Sequence, residues 1–141
     1  MKKILFFLSV IVCNFALCQK GYDSDVQNSY KTGTHYEFDK TFIELGEVKK
    51  GDKRIFDFTM KNTGTDNIKI AYVSYCDCTT VEYMKSKELK SGESMVFDVV
   101  FDSSEKDEEE TIEIEMELEN KDTNTGLPIY LTLDYHFKIV K

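Results

Sequence analysis

The sequence predicts an all-β fold, an immunoglobulin-like β-sandwich of about seven antiparallel strands, on three observations. First, apolar residues recur at every second position along most of the chain. Between positions 110 and 120, Ile112, Ile114, Met116 and Leu118 alternate with Glu113, Glu115, Glu117 and Glu119. A helix would mix the two classes around its axis, whereas a strand segregates them onto opposite faces. Glutamate prefers helix by roughly a few tenths of a kcal/mol, which the burial of these large apolar side chains outweighs. Second, turn residues separate the alternating runs: Asn62-Thr63-Gly64, Lys90-Ser91-Gly92-Glu93 and Asp122-Thr123-Asn124-Thr125-Gly126. Third, each run has one apolar face, so each sheet meets water on its other side. Two such sheets stacked face to face enclose a dry core.

The chain opens Met1-Lys2-Lys3 and is apolar over residues 4–17, with Asn14 the only strongly polar interruption. A charged start before an apolar core predicts a secretory signal peptide over residues 1–18. The run is shorter than the roughly 20 apolar residues of a membrane-spanning helix, and no later stretch predicts a span. Ala16 and Cys18 hold the small-residue positions before a cut, which places cleavage between Cys18 and Gln19. The alternative makes Cys18 the lipid-bearing first residue of a lipoprotein, with Leu17 where that motif wants a small residue. Residues 19–34 are polar and aperiodic and are expected to form a flexible linker. The sandwich is placed at residues 35–141.

The formal net charge is −8, from 18 basic and 26 acidic residues. It becomes more negative once Lys2 and Lys3 are removed. Such a balance repels phosphate backbones and anionic lipid, so nucleic acid and membrane surfaces are excluded as partners. An acidic surface also serves solubility.

The expected strands run in order. Residues 36–38 and 42–48 make a broken first strand, with Gly46 and Gly51 as kinks or turns. Phe56, Phe58 and Met60 face inward from the second. Ile68 and Ile70 begin a third that reaches Val73, and residues 79–83 form a short fourth. Met95, Phe97, Val99 and Phe101 point inward from the fifth, and the Glu-rich run is the sixth. Pro128 opens the last strand, where a missing N–H is tolerated, and Ile129, Leu131, Leu133, Tyr135, Phe137 and Ile139 line its inner side.

Several motifs in this order resemble a bacterial family called domain of unknown function 1573. They are Phe42-Ile43-Glu44-Leu45-Gly46-Glu47-Val48-Lys49-Lys50-Gly51-Asp52, Phe58-Thr59-Met60-Lys61-Asn62-Thr63-Gly64, Cys76-Asp77-Cys78-Thr79-Thr80, Ser91-Gly92-Glu93 and Glu119-Asn120. That family is similar in turn to hydin-type and major-sperm-protein-type modules. The resemblance implies an exported, non-enzymatic sandwich without a settled activity, of a kind common in Bacteroidetes. Two positions depart from the family pattern: Asp77 stands where glycine is usual, and Ser91 where proline is usual.

Once the signal is removed, Cys76 and Cys78 are the only cysteines left. Three states are open to them. They form a disulfide, which an oxidising compartment allows. In an extended strand their Cα atoms would lie about 6.5 Å apart, so this bond needs a local bend. Alternatively they bind a soft metal such as copper or zinc, although the only histidines are His35 and His136, and His136 falls on an outward, solvated face. Met84 could add a thioether but is expected to fill the core. In the third state they are small buried hydrophobes.

Glu113, Glu115, Glu117 and Glu119 are expected to be a solvated face rather than a Ca²⁺ site, because carboxylates on one strand lie about 7 Å apart. The charged run at 103–110 reads as a soluble loop. Tyr72, Tyr75, Thr79 and Tyr83 flank the cysteines and form the expected surface for a protein or glycan partner. There is no glycine-rich phosphate loop and no Ser/His/Asp set, and no cofactor is expected. The function expected is that of an exported, non-enzymatic binding or scaffold module. The alternative is an envelope thiol-redox or copper-binding protein that uses Cys76 and Cys78.

Overall fold

The computed structural model describes residues 31–84, 86 and 88–141. The expected signal peptide, Cys18 and most of the expected linker lie outside the described residues. Among these residues there are nine strands: β1 (Tyr36–Phe38), β2 (Phe42–Lys49), β3 (Lys53–Asn62), β4 (Ile68–Ser74), β5 (Thr79–Glu82), β6 (Glu88–Leu89), β7 (Ser94–Asp102), β8 (Glu109–Lys121) and β9 (Pro128–Val140). They form a four-stranded sheet, β1-β3-β7-β5, and a five-stranded sheet, β2-β9-β8-β4-β6. Among the described residues no helix is long and apolar enough to cross a membrane.

The all-β sandwich is the fold the sequence predicts, with two differences in detail. The broken first strand is two strands in different sheets. Asp39 still bonds to β3, accepting from the Thr59 N–H at 2.8 Å, while the Thr41 carbonyl already accepts from Asp134 of β9 at 2.8 Å. The chain therefore crosses between the sheets at Lys40. This lays β2 parallel to β9, whereas the other paired strands among the described residues run antiparallel. A register shift between Glu44 and Glu47 follows, with Gly46 at φ 66° and its N–H bonded to the Glu44 carboxylate. Only a residue without a Cβ takes that backbone shape cheaply. The second difference is β6, whose two residues are too few to show any period, although Leu89 is buried.

Inward positions of both sheets meet in one core. Phe58, Phe97 and Phe101 come from the four-stranded sheet, and Ile114, Leu133, Tyr135 and Phe137 from the other. The Phe101 ring lies 4.3 Å from Phe137 and 5.3 Å from Tyr135, centroid to centroid, across the interface. Each such side chain contributes up to about 3 kcal/mol by leaving water. The alternation in β3, β7, β8 and β9 is the cause of this layering.

One end of the sandwich is closed by Asn62, which is fully buried. Its amide donates to the Asp66 and Leu89 carbonyls at 2.8 and 3.0 Å and accepts from the Gly64 N–H at 2.9 Å. Residues 31–34, expected to be linker, instead run against this turn. The Lys31 N–H donates to the Thr63 carbonyl at 3.0 Å, and the Gly33 carbonyl accepts from Thr65 at 3.0 Å. The approach needs Gly64, since a Cβ there would lie 2.1 Å from the Gly33 oxygen. At the opposite end, buried Ser103 donates to the Asp52 and Lys49 carbonyls and pins the β2–β3 turn.

Candidate functional site: the cysteine turn and the tyrosine face

β4 belongs to one sheet and β5 to the other, and residues 75–78 carry the chain between them. The segment is a tight turn rather than a strand. The Thr79 N–H donates to the Cys76 carbonyl at 2.9 Å, and the Cys78 carbonyl accepts from Asp102 of β7 at 2.9 Å. The turn brings the Cα atoms of Cys76 and Cys78 to 5.3 Å, and the two sulfurs are bonded. Closing so short a loop stabilises the chain by under about 2 kcal/mol in the chain-entropy account. The bridge is therefore a minor contributor to the fold.

Beneath the bridge lies a pair of hydroxyls. Thr79 Oγ1 is 3.3 Å from Cys76 Sγ and 3.6 Å from Cys78 Sγ. It is also 2.6 Å from the Tyr135 hydroxyl, which reaches across from β9 and lies 3.9 Å from Cys78 Sγ. Burial pushes the Tyr135 phenol up to about 12, against a smaller opposing effect of the Thr79 contact. Tyr135 thus stays protonated and can donate. Cys78 also borders an open depression shared with Asp77, Asp102, Ser104 and Glu105. Hydrogen bonds from the Ser104 hydroxyl and N–H, then Lys53 at 3.1 Å, hold Asp102 at about 2.

Thr79 was expected on a partner surface but is buried, because the two inward positions of β5 are Thr79 and Val81. Tyr83 is likewise drawn inward, its ring 5.6 Å from Phe97. Tyr72 and Tyr75 are exposed, as a contact surface requires. The strand register adds a residue that sequence reasoning missed. Tyr72 pairs with Glu117, and Glu117 pairs with Tyr130, so two tyrosines flank one carboxylate in a single row across β4, β8 and β9. Tyr130 is 64% exposed. Partial desolvation, then the Glu117 charge, raises the Tyr72 phenol above its usual value.

Glu113 and Glu115 stand beside this row. Contact with Glu115, then partial desolvation, raises the Glu113 carboxyl. His136 does face outward but is not simply solvated: Nδ1 is 2.8 Å from Glu44 and Nε2 is 3.4 Å from Glu109. Met84 is exposed rather than part of the core. With the sulfurs bonded to each other, neither is present as a thiolate ligand. Among the described residues no three His, Cys, Asp or Glu side chains converge as a metal site. Tyr135 was legible as inward-facing, and its role has a signal in hindsight, since a buried tyrosine hydroxyl needs a partner.

Comparisons with known proteins agree with this geometry. A Porphyromonas gingivalis W83 protein of unknown function matches with a TM-score of 0.60 at 16% identity, over 78% of this chain and 48% of that one. A PapD-like domain of human CEP192 matches with a TM-score of 0.57 at 12% identity, over 77% of this chain and 87% of that domain. The Vibrio cholerae VesB protease matches with a TM-score of 0.58 at 17% identity, over 75% of this chain and 32% of the protease. The chain thus spans about half of the first protein and a third of the last. At these identities the likeness is one of fold. No curated protein sequence matches. The family model described as protein of unknown function (DUF1573) matches residues 36–131. The chain belongs to that family.

Proposed function

We propose that the chain is an exported, non-enzymatic binding module that docks a basic protein segment on the outer face of its five-stranded sheet. The row Tyr72–Glu117–Tyr130 carries this reading. Two half-exposed aromatic rings on either side of a carboxylate present an arginine or lysine with a charge partner and π faces to stack on. Glu113 and Glu115 extend the negative field along β8. Aromatic residues at such positions carry a large share of interface energy at little entropic cost.

The supporting contrast is the molecule's interior. The inward positions of both sheets are filled by one apolar core, whereas the tyrosine row stands on the exposed face. The signal-like start supports export, and fractionation of cells expressing the tagged chain tests it. For binding, a biotinylated Arg/Lys-rich peptide and a neutral peptide of equal length are titrated against the protein. The basic peptide is expected to bind, more weakly at high salt, and to lose at least about tenfold in affinity in Tyr72→Ala/Tyr130→Ala. Binding of a glycan array instead, or equal binding of both peptides, contradicts the reading.

A further inference from the structure

We propose that the Cys76–Cys78 disulfide is a thiol–disulfide exchange site, attacked at Cys78 by thiols that carry positive charge. Three features of the turn converge on this. Cys78, unlike Cys76, lines the depression, so a thiolate that enters it meets this cysteine. Cys76 is the sulfur best placed to leave, because Thr79 Oγ1 lies 3.3 Å from it. The Tyr135 hydroxyl lies 2.6 Å from Thr79 Oγ1, and in the proposed relay it is the donor of that pair, which leaves the single Thr79 proton for sulfur. A hydrogen bond to the departing thiolate lowers its basicity and speeds its departure.

The rim decides which thiols approach. Asp77, Asp102 and Glu105 surround Cys78, and Lys53 offsets Asp102. The remaining carboxylates draw in a cationic thiol and repel an anionic one. Because the bridge contributes little to the fold, opening it leaves the sandwich standing.

The chemistry balances without a further reactant. The thiolate of R–SH attacks Cys78 Sγ; the new S–S bond forms as the Cys76–Cys78 bond breaks. The electron pair leaves on Cys76 Sγ, which takes the Thr79 hydrogen bond and then a proton from water. A second R–S⁻ attacks the R sulfur of the mixed disulfide and expels Cys78 as a thiolate, which is protonated in turn. Two thiols are oxidised to R–S–S–R, and the protein disulfide is reduced to two thiols.

The test reduces the oxidised full chain with cysteamine, 2-mercaptoethanol or 2-mercaptoethanesulfonate, followed by acid quench, alkylation and intact mass. Per unit of thiolate, the cationic reagent is expected to react about tenfold faster than the anionic one at low salt, and the gap to close at about 1 M salt. Thr79→Val is expected to slow all three about tenfold and to shift alkylation of reduced Cys76 to higher pH, while Thr79→Ser restores both. Tyr135→Phe breaks the same relay with Thr79 intact and slows exchange about threefold, which covers the case in which Thr79→Val fails to fold. Rates independent of reagent charge overturn the proposal. So do Thr79 and Tyr135 variants that exchange and alkylate as the parent does.

Discussion

Asn62 at one end of the sandwich and the Thr79–Tyr135 pair towards the other use buried polar groups in opposite ways. At the Asn62 end the amide uses its bonding capacity on backbone: the Asp66 carbonyl and Gly64 N–H of its own turn and the Leu89 carbonyl of β6. At the cysteine end, Thr79 and Tyr135 bond to each other and to the sulfurs, and Cys78 borders solvent. The first arrangement fixes where segments meet and leaves nothing over for a ligand. The second holds little of the fold together but keeps reactive groups within reach of the surface. The lesson is that the Asn62 end serves the fold alone, whereas the cysteine end divides its buried polar groups: Ser103 ties backbone at Lys49 and Asp52, and Thr79 with Tyr135 is left to present chemistry.

The sharpest way to break this contrast is at Asn62. Asn62→Leu strips the Leu89 carbonyl of its side-chain partner inside the protein, and is expected to cost about 2–4 kcal/mol in urea unfolding. Gly64→Ala acts on the same knot. Its Cβ must displace the Gly33 carbonyl, so faster amide exchange is expected at Lys31 and Thr65 while β8 stays protected.

Alkaline titration probes the other end. Tyr135 keeps its proton in the folded state up to about 12, against 10.0 for a free phenol. Its contribution to stability is fully present below the unfolded value and is lost as pH rises through that window, where the unfolded chain releases a proton the folded chain retains. Alkaline unfolding followed by phenolate absorbance is expected to shift to higher pH in Tyr135→Phe. A smaller effect is expected for Cys76→Ser/Cys78→Ser, under about 2 kcal/mol by the same unfolding assay. A loss as large as that of Asn62→Leu would erase the distinction between the ends. The smallest is at Asp102, held at about 2 by Ser104 and Lys53 but exposed: stability falls slightly as pH drops from 3.8 through that value, and Asp102→Asn removes the dependence.

The layered core was legible because it follows from a local rule. Phe97, Ile114, Leu133 and their neighbours could be assigned inward from alternation alone, and the structure buries them. What escaped depends on contacts distant in sequence. The crossing at Lys40 is set by Asp39 meeting Thr59 and Thr41 meeting Asp134, and no local pattern encodes either. The parity of β5 is hidden because the preceding turn resets the alternation, so Thr79, expected on the surface, is buried, and Tyr83 beyond the strand is half-buried against the core. Tyr130 carries no local signal of a site; only the register sets it across Glu117 from Tyr72. The Asn62-Thr63-Gly64 turn was visible as punctuation, but its grip on residues 31–34 was not.

The assignment of recognition to the tyrosine row is tested most directly by placing a photoreactive benzoylphenylalanine at Tyr72, on the outer face of β4, and separately at exposed Lys90, beside the Asn62 knot. Each chain is irradiated in its cell of origin and the cross-linked peptides are sequenced. The account predicts that Tyr72 captures a defined protein through a segment rich in lysine or arginine and that Lys90 captures none. Capture of the same partner from Lys90, or of acidic or unrelated segments from Tyr72, would contradict it.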